Sequence, residues 1–355
     1  MNIPPDRAKA DTVMFVPAFV DIHMHGAAGH DVGTASREGL HAICAMLAAH
    51  GTAGFLPTLP AVSFENSRKA LAVISGVMAE QQALIEELSR VDSREPHKLP
   101  EALVLGAHLE GPFMLNTCKG ALDENVFVDA TVENWKKLTG EYEGIVKRIT
   151  LDPLRPGALD LIPYLAARGV SVSCGHTAAD ADTVNNAFKA GATSVTHIFN
   201  AMPSLHHRAP GPVGAALADD NTYAELITDF LHVNKLACKL VIKCKTPDHV
   251  AVITDSCEAA GMPDGQYQLS GREIHVVNGE ARLEDGRLAS STVFMDRERL
   301  NLLSLGFGER DVAKLTHNTP LNAIGADAGT RQLFSRLFAG IGAAGLSEGT
   351  YYIKT

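Results

Sequence analysis

No uninterrupted apolar run in this 355-residue chain is long enough to span a bilayer, which argues against a helical membrane protein. The opening MNIPPDRAKAD lacks the apolar centre of a secretory signal. Positive charge is in deficit. The formal net charge of -10 argues against nonspecific nucleic-acid binding, while leaving room for a local basic pocket around a small anion. Cysteine occurs six times, at 44, 118, 174, 238, 244 and 257, and never as C-x-x-C. That scatter predicts reduced thiols in a cytoplasmic protein, mostly buried as small hydrophobes. There is no short-period repeat and no low-complexity tract. What is left is an ordinary globular composition, 46% hydrophobic and 20% charged, with length for one large α/β barrel or two medium domains.

Short apolar runs alternate with amphipathic stretches. FVPAFVDIH, GFLPTL, ALVLGAHLEG, KRITLDP, VSVSCGHT, SVTHIFN, AELITDFLHV and HVAVITDS read as eight strands. Between them, SREGLHAICAMLAAH places Leu40, Ile43, Cys44 and Leu47 on one helical face, and a long helix is predicted over 64–89. REPHKLPE reads as a loop. Further helices are predicted over 132–138, over ALDLIPYLAARG up to Gly169, over AADADTVNNAFKAG with Thr177 as N-cap and Gly191 as stop, and over 234–245. This alternation predicts a closed (β/α)₈ TIM-like barrel. Turn signals at Ser-Gly, Asn-Gly and Asp-Gly make 265–289 a β-hairpin excursion, after which helices resume over 295–304 and 309–316. The boundaries expected are a lead at 1–16, the barrel at 17–328 and an atypical tail at 329–355.

The chemistry gathers at predicted strand ends. His23 and His25 stand two apart after the first strand, so in an extended chain both imidazoles face one side. Alone, such a pair is as well explained by a solvated strand end. Glu110 follows strand 3, His176 strand 5, His197 strand 6, His232 strand 7 and Asp255 strand 8. In a barrel those ends share one face, and six of them carrying His, Glu or Asp predicts a metal site. The imidazoles and Glu110 suit one or two divalent ions, zinc foremost. Asp255 is the natural general base beside them, with a helix N-cap as its alternative. Cys174, two residues before His176, reads either as a thiolate ligand or as a packed strand side chain.

The order H-x-H, Glu, His, His, Asp resembles the amidohydrolase superfamily. Within it, PAFVDIHMHG, GAHLEGPF, GHTAADAD, THIFNAMPSLHHRAPG, LHVN, VITDSCEAAG and STVFMD resemble the N-acetylglucosamine-6-phosphate deacetylases, from about Pro17 to Gly325. The resemblance implies Glu110, His176 and His197 as ligands of one ion, His23 and His25 as holders of a second, and Asp255 as acid/base. It further implies Ala121, Asn200, Ala201, Arg208, His232, Leu288 and Ser290 around a phosphorylated N-acetyl amino sugar, and a homodimer. Arg208 suits phosphate because its planar fork binds two oxygens, although HHRAPG also reads as a solvated loop.

Three positions depart from that pattern. Leu122 stands where the family has a histidine that helps polarise the substrate carbonyl. Phe230 and Ser290 stand where the family has glycine. The small β-sandwich usual in the family is expected to be truncated or absent, because the segment before Pro17 is short and the tail shows no apolar closing strand. Two other readings remain: an amidohydrolase acting on a related N-acetyl sugar or amide, and a barrel that binds sugar phosphate without turning it over.

Overall fold

The computed structural model describes residues 14–90, 101–269, 271–338 and 350–353. Most of the expected lead, most of the REPHKLPE loop, Ser270 of the Ser-Gly turn and much of the tail lie outside these residues.

Eight parallel strands form the barrel, each hydrogen-bonded to the next in chain order. They are β1 (Phe19–Met24), β2 (Thr52–Pro60), β3 (Ala107–Glu110), β4 (Val146–Leu151), β5 (Ser171–Cys174), β6 (Ser194–Val195), β7 (Tyr223–Leu226) and β8 (Val250–Val252). The helices that return the chain are α1 (Arg37–Ala49), α2 (Phe64–Arg90), α3 (Val132–Thr139), α4 (Ala158–Ala166), α5 (Ala181–Ala190), α6 (Gly211–Ala218) and α7 (Lys235–Lys245). The seam between first and last strands closes just past the end of β8. Asp255 N donates to His23 O at 2.9 Å, and His25 N donates to Ser256 O at 2.7 Å. None of the described helices is long and apolar enough to cross a membrane.

Burial follows the sequence periods. Leu40, Ile43, Cys44 and Leu47 of α1 are buried, and they join Phe19, Leu71, Trp135, Ile149 and Leu161 in the layer between strands and helices. Inside the lower barrel, Val20, Ile22, Ala53, Leu56, Ile227 and Ile253 form a second apolar cluster. After α8 (Met295–Ser304) and α9 (Glu309–Ala313), the helices α10 (Thr319–Ala323) and α11 (Ala328–Phe338) cover that cluster with Leu321, Ile324 and Phe334. Phe334 Cζ lies 2.4 Å from where a Cβ on Gly54 would stand, so this end is filled against the strand backbone. The segment from 329 therefore begins as a helix that plugs the barrel. Met14–Pro17 pairs antiparallel with Thr350–Ile353, a strand that the sequence reading of the tail did not contain.

Other differences have local causes. The third predicted strand breaks into Leu103–Val104 and β3, because Gly106 between them takes φ +141° and a Cβ there would sit 2.4 Å from Lys147 Cγ. The N-cap of α5 is Asp180, whose side chain accepts from Thr183 N at 2.8 Å; Thr177 instead donates its hydroxyl to Asp152 Oδ1. Helix α6 was not legible: it is short, starts at Gly-Pro, and is apolar on nearly all sides, so it has no amphipathic stripe. The 265–289 excursion is a three-stranded meander, β9 (Gly265–Leu269), β10 (Arg272–Val277) and β11 (Glu280–Arg282), rather than one hairpin. The last predicted helix stops at Ala313 and widens into a π-type turn at Lys314–Asn318.

Candidate metal centre and active site

The strand ends bring two groups of possible ligands together. Glu110, His176 and His197 form one, and His23, His25 and Asp255 the other, each with donor atoms within 4.8 Å of one another and all buried. Glu110 faces both. Its Oε1 lies 3.0 Å from His176 Nε2, 3.2 Å from His197 Nε2 and 3.4 Å from His23 Nε2, while its Oε2 lies 3.4 Å from His25 Nε2. Asp255 Oδ1 lies 3.2 Å from His25 Nε2 and 3.5 Å from His23 Nε2. The β1–β2 ladder shifts register between Asp21 and Met24, the kind of irregularity that re-aims side chains beside a site. Gly26 then lets the chain turn: a Cβ there would stand 2.3 Å from His30 O.

The partners of the outer ring nitrogens fix the tautomers. His25 Nδ1 is 3.1 Å from the Thr58 carbonyl, His176 Nδ1 3.0 Å from the Cys118 carbonyl, and His23 Nδ1 3.0 Å from Glu225 Oε2. Each partner only accepts, so each ring carries its proton on Nδ1 and turns a bare Nε2 inward. His176 Nε2 and His197 Nε2 approach to 3.2 Å, and His23 Nε2 is buried with no hydrogen-bond partner. Lone pairs and carboxylate oxygens crowded this way repel unless a cation lies among them, so the donor set fits divalent metal. Burial pushes the carboxyls of Glu110 and Asp255 up. With protons rather than a metal on the inward nitrogens, the positive imidazoles, His176 and His23 for Glu110 and chiefly His23 for Asp255, outweigh it: Glu110 is held well below the usual range and Asp255 below it.

Asp255 does not cap a helix; the chain after it bridges to Ser291 and turns. Cys174 packs into the apolar layer outside the strands and belongs to neither group of possible ligands, so it is a packed strand side chain; burial pushes its thiol up to about 12.

Above the ligands lies a cavity of about 680 Å³ with His25, Glu110, His176, His197 and Asp255 on its lining. Ala121, Asn200, Ala201, His232, Leu288 and Ser290 line it too; Arg208 does not, and lies on an exposed loop. Asn200 Nδ2 donates to His197 O at 3.2 Å. His232 Nδ1 meets Asp229 Oδ2 at 2.7 Å; burial lowers the ring's pKa, but Asp229 outweighs it and holds it above the ordinary value. Leu122 is on the lining and packs against Ala61 and Met114.

The backbone here is strained. His176, His197, Ala201, Phe230, Asp255 and Ser290 hold φ of 49°, 28°, 50°, 67°, 50° and 62°. Phe230 and Ser290 thus keep the left-handed conformation for which the resembling family uses glycine.

Sequence reasoning passed over the residues beneath the ligands. His108, Arg148, Thr150 and Glu225 are fully buried inside the barrel, and His108 Nε2 meets Thr150 Oγ1 at 2.9 Å. The signal was present: an Arg in KRITL and a Glu in AELIT interrupt core strands, and buried charge requires a partner. Lys119 and Arg287, also on the cavity lining, went unread for want of any motif.

A parallel eight-stranded barrel with two His/carboxylate clusters sharing one glutamate at the strand C-termini defines an amidohydrolase-type, metal-dependent hydrolase. No model of a known protein family matches the sequence. The N-acetylglucosamine-6-phosphate deacetylase of Bacillus subtilis is 35% identical over 320 residues, covering 90% of this chain and 77% of that protein. The N-acetylgalactosamine-6-phosphate deacetylase of Escherichia coli O157:H7 is 33% identical over 326 residues, covering 92% and 82%. Among solved structures, a variant of N-acetyl-D-glucosamine-6-phosphate deacetylase from Mycobacterium smegmatis, in complex with N-acetyl-D-glucosamine-6-phosphate, superposes with a TM-score of 0.78 at 30% identity, over 91% of this chain and 82% of that one. The chain belongs to the N-acetylglucosamine-6-phosphate deacetylases of the amidohydrolase superfamily.

Proposed function

We propose that this protein hydrolyses the acetamide of N-acetylglucosamine 6-phosphate to glucosamine 6-phosphate and acetate, a step of amino-sugar catabolism. The observation that carries the reading is the pair of ligand clusters meeting at Glu110 on the lining of the cavity. Glu110, His176 and His197 would hold one divalent ion, zinc by donor chemistry, and His23 and His25 would offer a second place. A bound divalent ion lowers the pKa of water toward neutrality and draws charge from a carbonyl oxygen. Asp255, kept ionised by the positive charge of the cluster beside it, takes the proton of the attacking water at Oδ1 and hands it to the leaving nitrogen.

His232, oriented by Asp229, presents its other ring nitrogen to sugar or phosphate oxygens, and Asn200, Ala201, Ala121, Leu288 and Ser290 shape the walls. Arg208 reaches the phosphate only if its loop moves. Lys119, paired with Glu124 at 2.8 Å, and Arg287, paired with Asp285 at 2.6 Å, already stand on the lining. Leu122 donates no hydrogen bond to a carbonyl. A donor to a developing oxyanion is typically worth about 10²–10³ in turnover, so the reaction is expected to be slow.

The same reading includes a cytoplasmic homodimer. The six free cysteines suit a reducing compartment. Leu231, with Leu236 and Leu240 one turn apart on α7, leaves an exposed apolar strip for a second copy.

The galacto epimer is a second substrate candidate, because the Escherichia coli relative named for it is about as similar to this chain as those named for the gluco sugar. The test is acetate release from both N-acetylhexosamine 6-phosphates and from unphosphorylated N-acetylglucosamine, alongside the metal content of the purified protein. Acetate from the gluco phosphate in preference to the others supports the proposal. A metal-loaded protein that releases none sinks it in favour of sugar-phosphate binding without turnover.

A further inference from the structure

We infer that Glu225 and Arg148, two charged residues sealed inside the barrel, are positioning residues that set the metal affinity of the first-strand ligands. The inference rests on the metal reading above. Glu225 on β7 and Arg148 on β4 are both 0% exposed. Glu225 Oε2 accepts the Nδ1 proton of His23 at 3.0 Å and the backbone N–H of His197 at 3.3 Å. Its other oxygen, Oε1, lies 2.7 Å from Arg148 Nη2. That contact is an ion pair off the hydrogen-bonding axis, since neither atom has a hydrogen-bond partner. Arg148 is anchored from below: its Nη1 donates to Ser171 Oγ at 2.9 Å, and Ser171 Oγ donates to Ala323 O of α10 at 2.8 Å.

The other ligands are supported differently. His25 and His176 lean on backbone carbonyls, which need no charge to hold them in place. His23 leans on a carboxylate that is itself buried, and a buried carboxylate is stable only while its countercharge is present. Glu225 fixes the His23 tautomer and ring orientation. Arg148 keeps Glu225 charged and aimed. Together they form a line from the ligand cluster to the helix closing the opposite end.

The partner of a ligating histidine typically contributes about 10–100-fold to metal affinity. The test is titration of the full chain with cobalt(II) alone, read by visible absorbance and metal stoichiometry, with circular-dichroism melts to verify folding. Wild type is expected to bind two ions. Glu225→Gln and Arg148→Met should each weaken one of the two by roughly 10–100-fold and leave the ion held by Glu110, His176 and His197 bound. The double variant Arg148→Met/Glu225→Gln should recover part of the loss, because both charges leave together and the Gln carbonyl still accepts from His23 Nδ1. Two ions at wild-type affinity in both single variants would overturn the inference and leave the metal reading intact, as would a double variant no better than the worse single one. A wild type that binds one ion or none defeats the reading of the first-strand ligands and this inference with it.

Discussion

At the upper end of the barrel the strands run out into His, Glu and Asp, and the backbone of His176, His197, Ala201, Phe230, Asp255 and Ser290 sits at positive φ. At the lower end the strands carry Val20, Ala53 and Ala251, and Leu321, Ile324 and Phe334 close over them. One end crowds lone pairs together and bends the chain against its preference; the other does what packing alone would choose. The contrast teaches that the site is held in place from below. Residues costly to stability are concentrated where the chemistry is, and the apolar end compensates. Perturbations should therefore separate cleanly, activity being lost from above and stability from below.

The largest effect expected is at His176. His176→Ala should abolish turnover and release the ion held with Glu110 and His197, while the fold persists; elemental analysis that finds stoichiometric metal in this variant would remove His176 as a ligand. Next comes Asp255→Asn, which should keep its metal yet lose roughly 10²–10⁴ in kcat. Near wild-type turnover there would leave Asp255 a structural role only.

From below, Phe334→Ala should cost about 3–5 kcal/mol in urea unfolding, with kcat/KM unchanged in the molecules that remain folded. A parallel fall in kcat/KM would break the separation of the two ends. A smaller effect of opposite sign is expected at Ser290. Ser290→Gly relieves left-handed strain of roughly 1–2 kcal/mol per residue and gives back part of it as chain entropy, for a net gain of up to about 1 kcal/mol. An unchanged or lower unfolding midpoint would mean that Ser290 carries no strain.

The last effect depends on pH. Burial pushes the Glu298 carboxyl well above its ordinary value, although Thr228 Oγ1 donates to it. A raised folded-state pKa contributes stability that is complete below 4.5, the ordinary value for a glutamate, and is lost as pH rises through the folded value. Glu298→Gln keeps an acceptor for Thr228, so its melting temperature should gain on wild type as pH increases. A constant difference across pH would show that Glu298 does not titrate differently in the folded state.

Much of the upper end was legible in the sequence because its chemistry is written in rare residue types at strand ends. His23, His25, Glu110, His176, His197 and Asp255 do converge, although β6 is only two residues long and His232 lies well past β7. The supports were less legible. Thr58 and Cys118 act through carbonyls, which any residue offers, so no side-chain pattern announces them. Glu225 and Arg148 show in the sequence only as charges interrupting two core strands; that they pair with each other and reach His23 is visible only in the closed barrel. Helix α6 hid because an evenly apolar helix has no stripe, and the plugging helix α11 because, among its described side chains, Phe334 alone is buried. The φ of Phe230 was hinted at by the family glycine, but only the backbone gives its sign.

The seam described above also sets an order of assembly. Glu110, His176 and His197 follow β3, β5 and β6, which with β4 form one run of consecutively paired strands in the middle of the chain, and they can be in place once β6 has paired. His23 and His25 are made first and completed last, because their backbone waits for Asp255 and Ser256 to arrive from more than 200 residues away. During synthesis the two halves of the centre therefore mature at different times, with the first-strand pair idle until β8 closes the ring. The earliest histidines made are in this sense the latest to be assembled, and on the proposed reading full metal capacity would report that the barrel has shut.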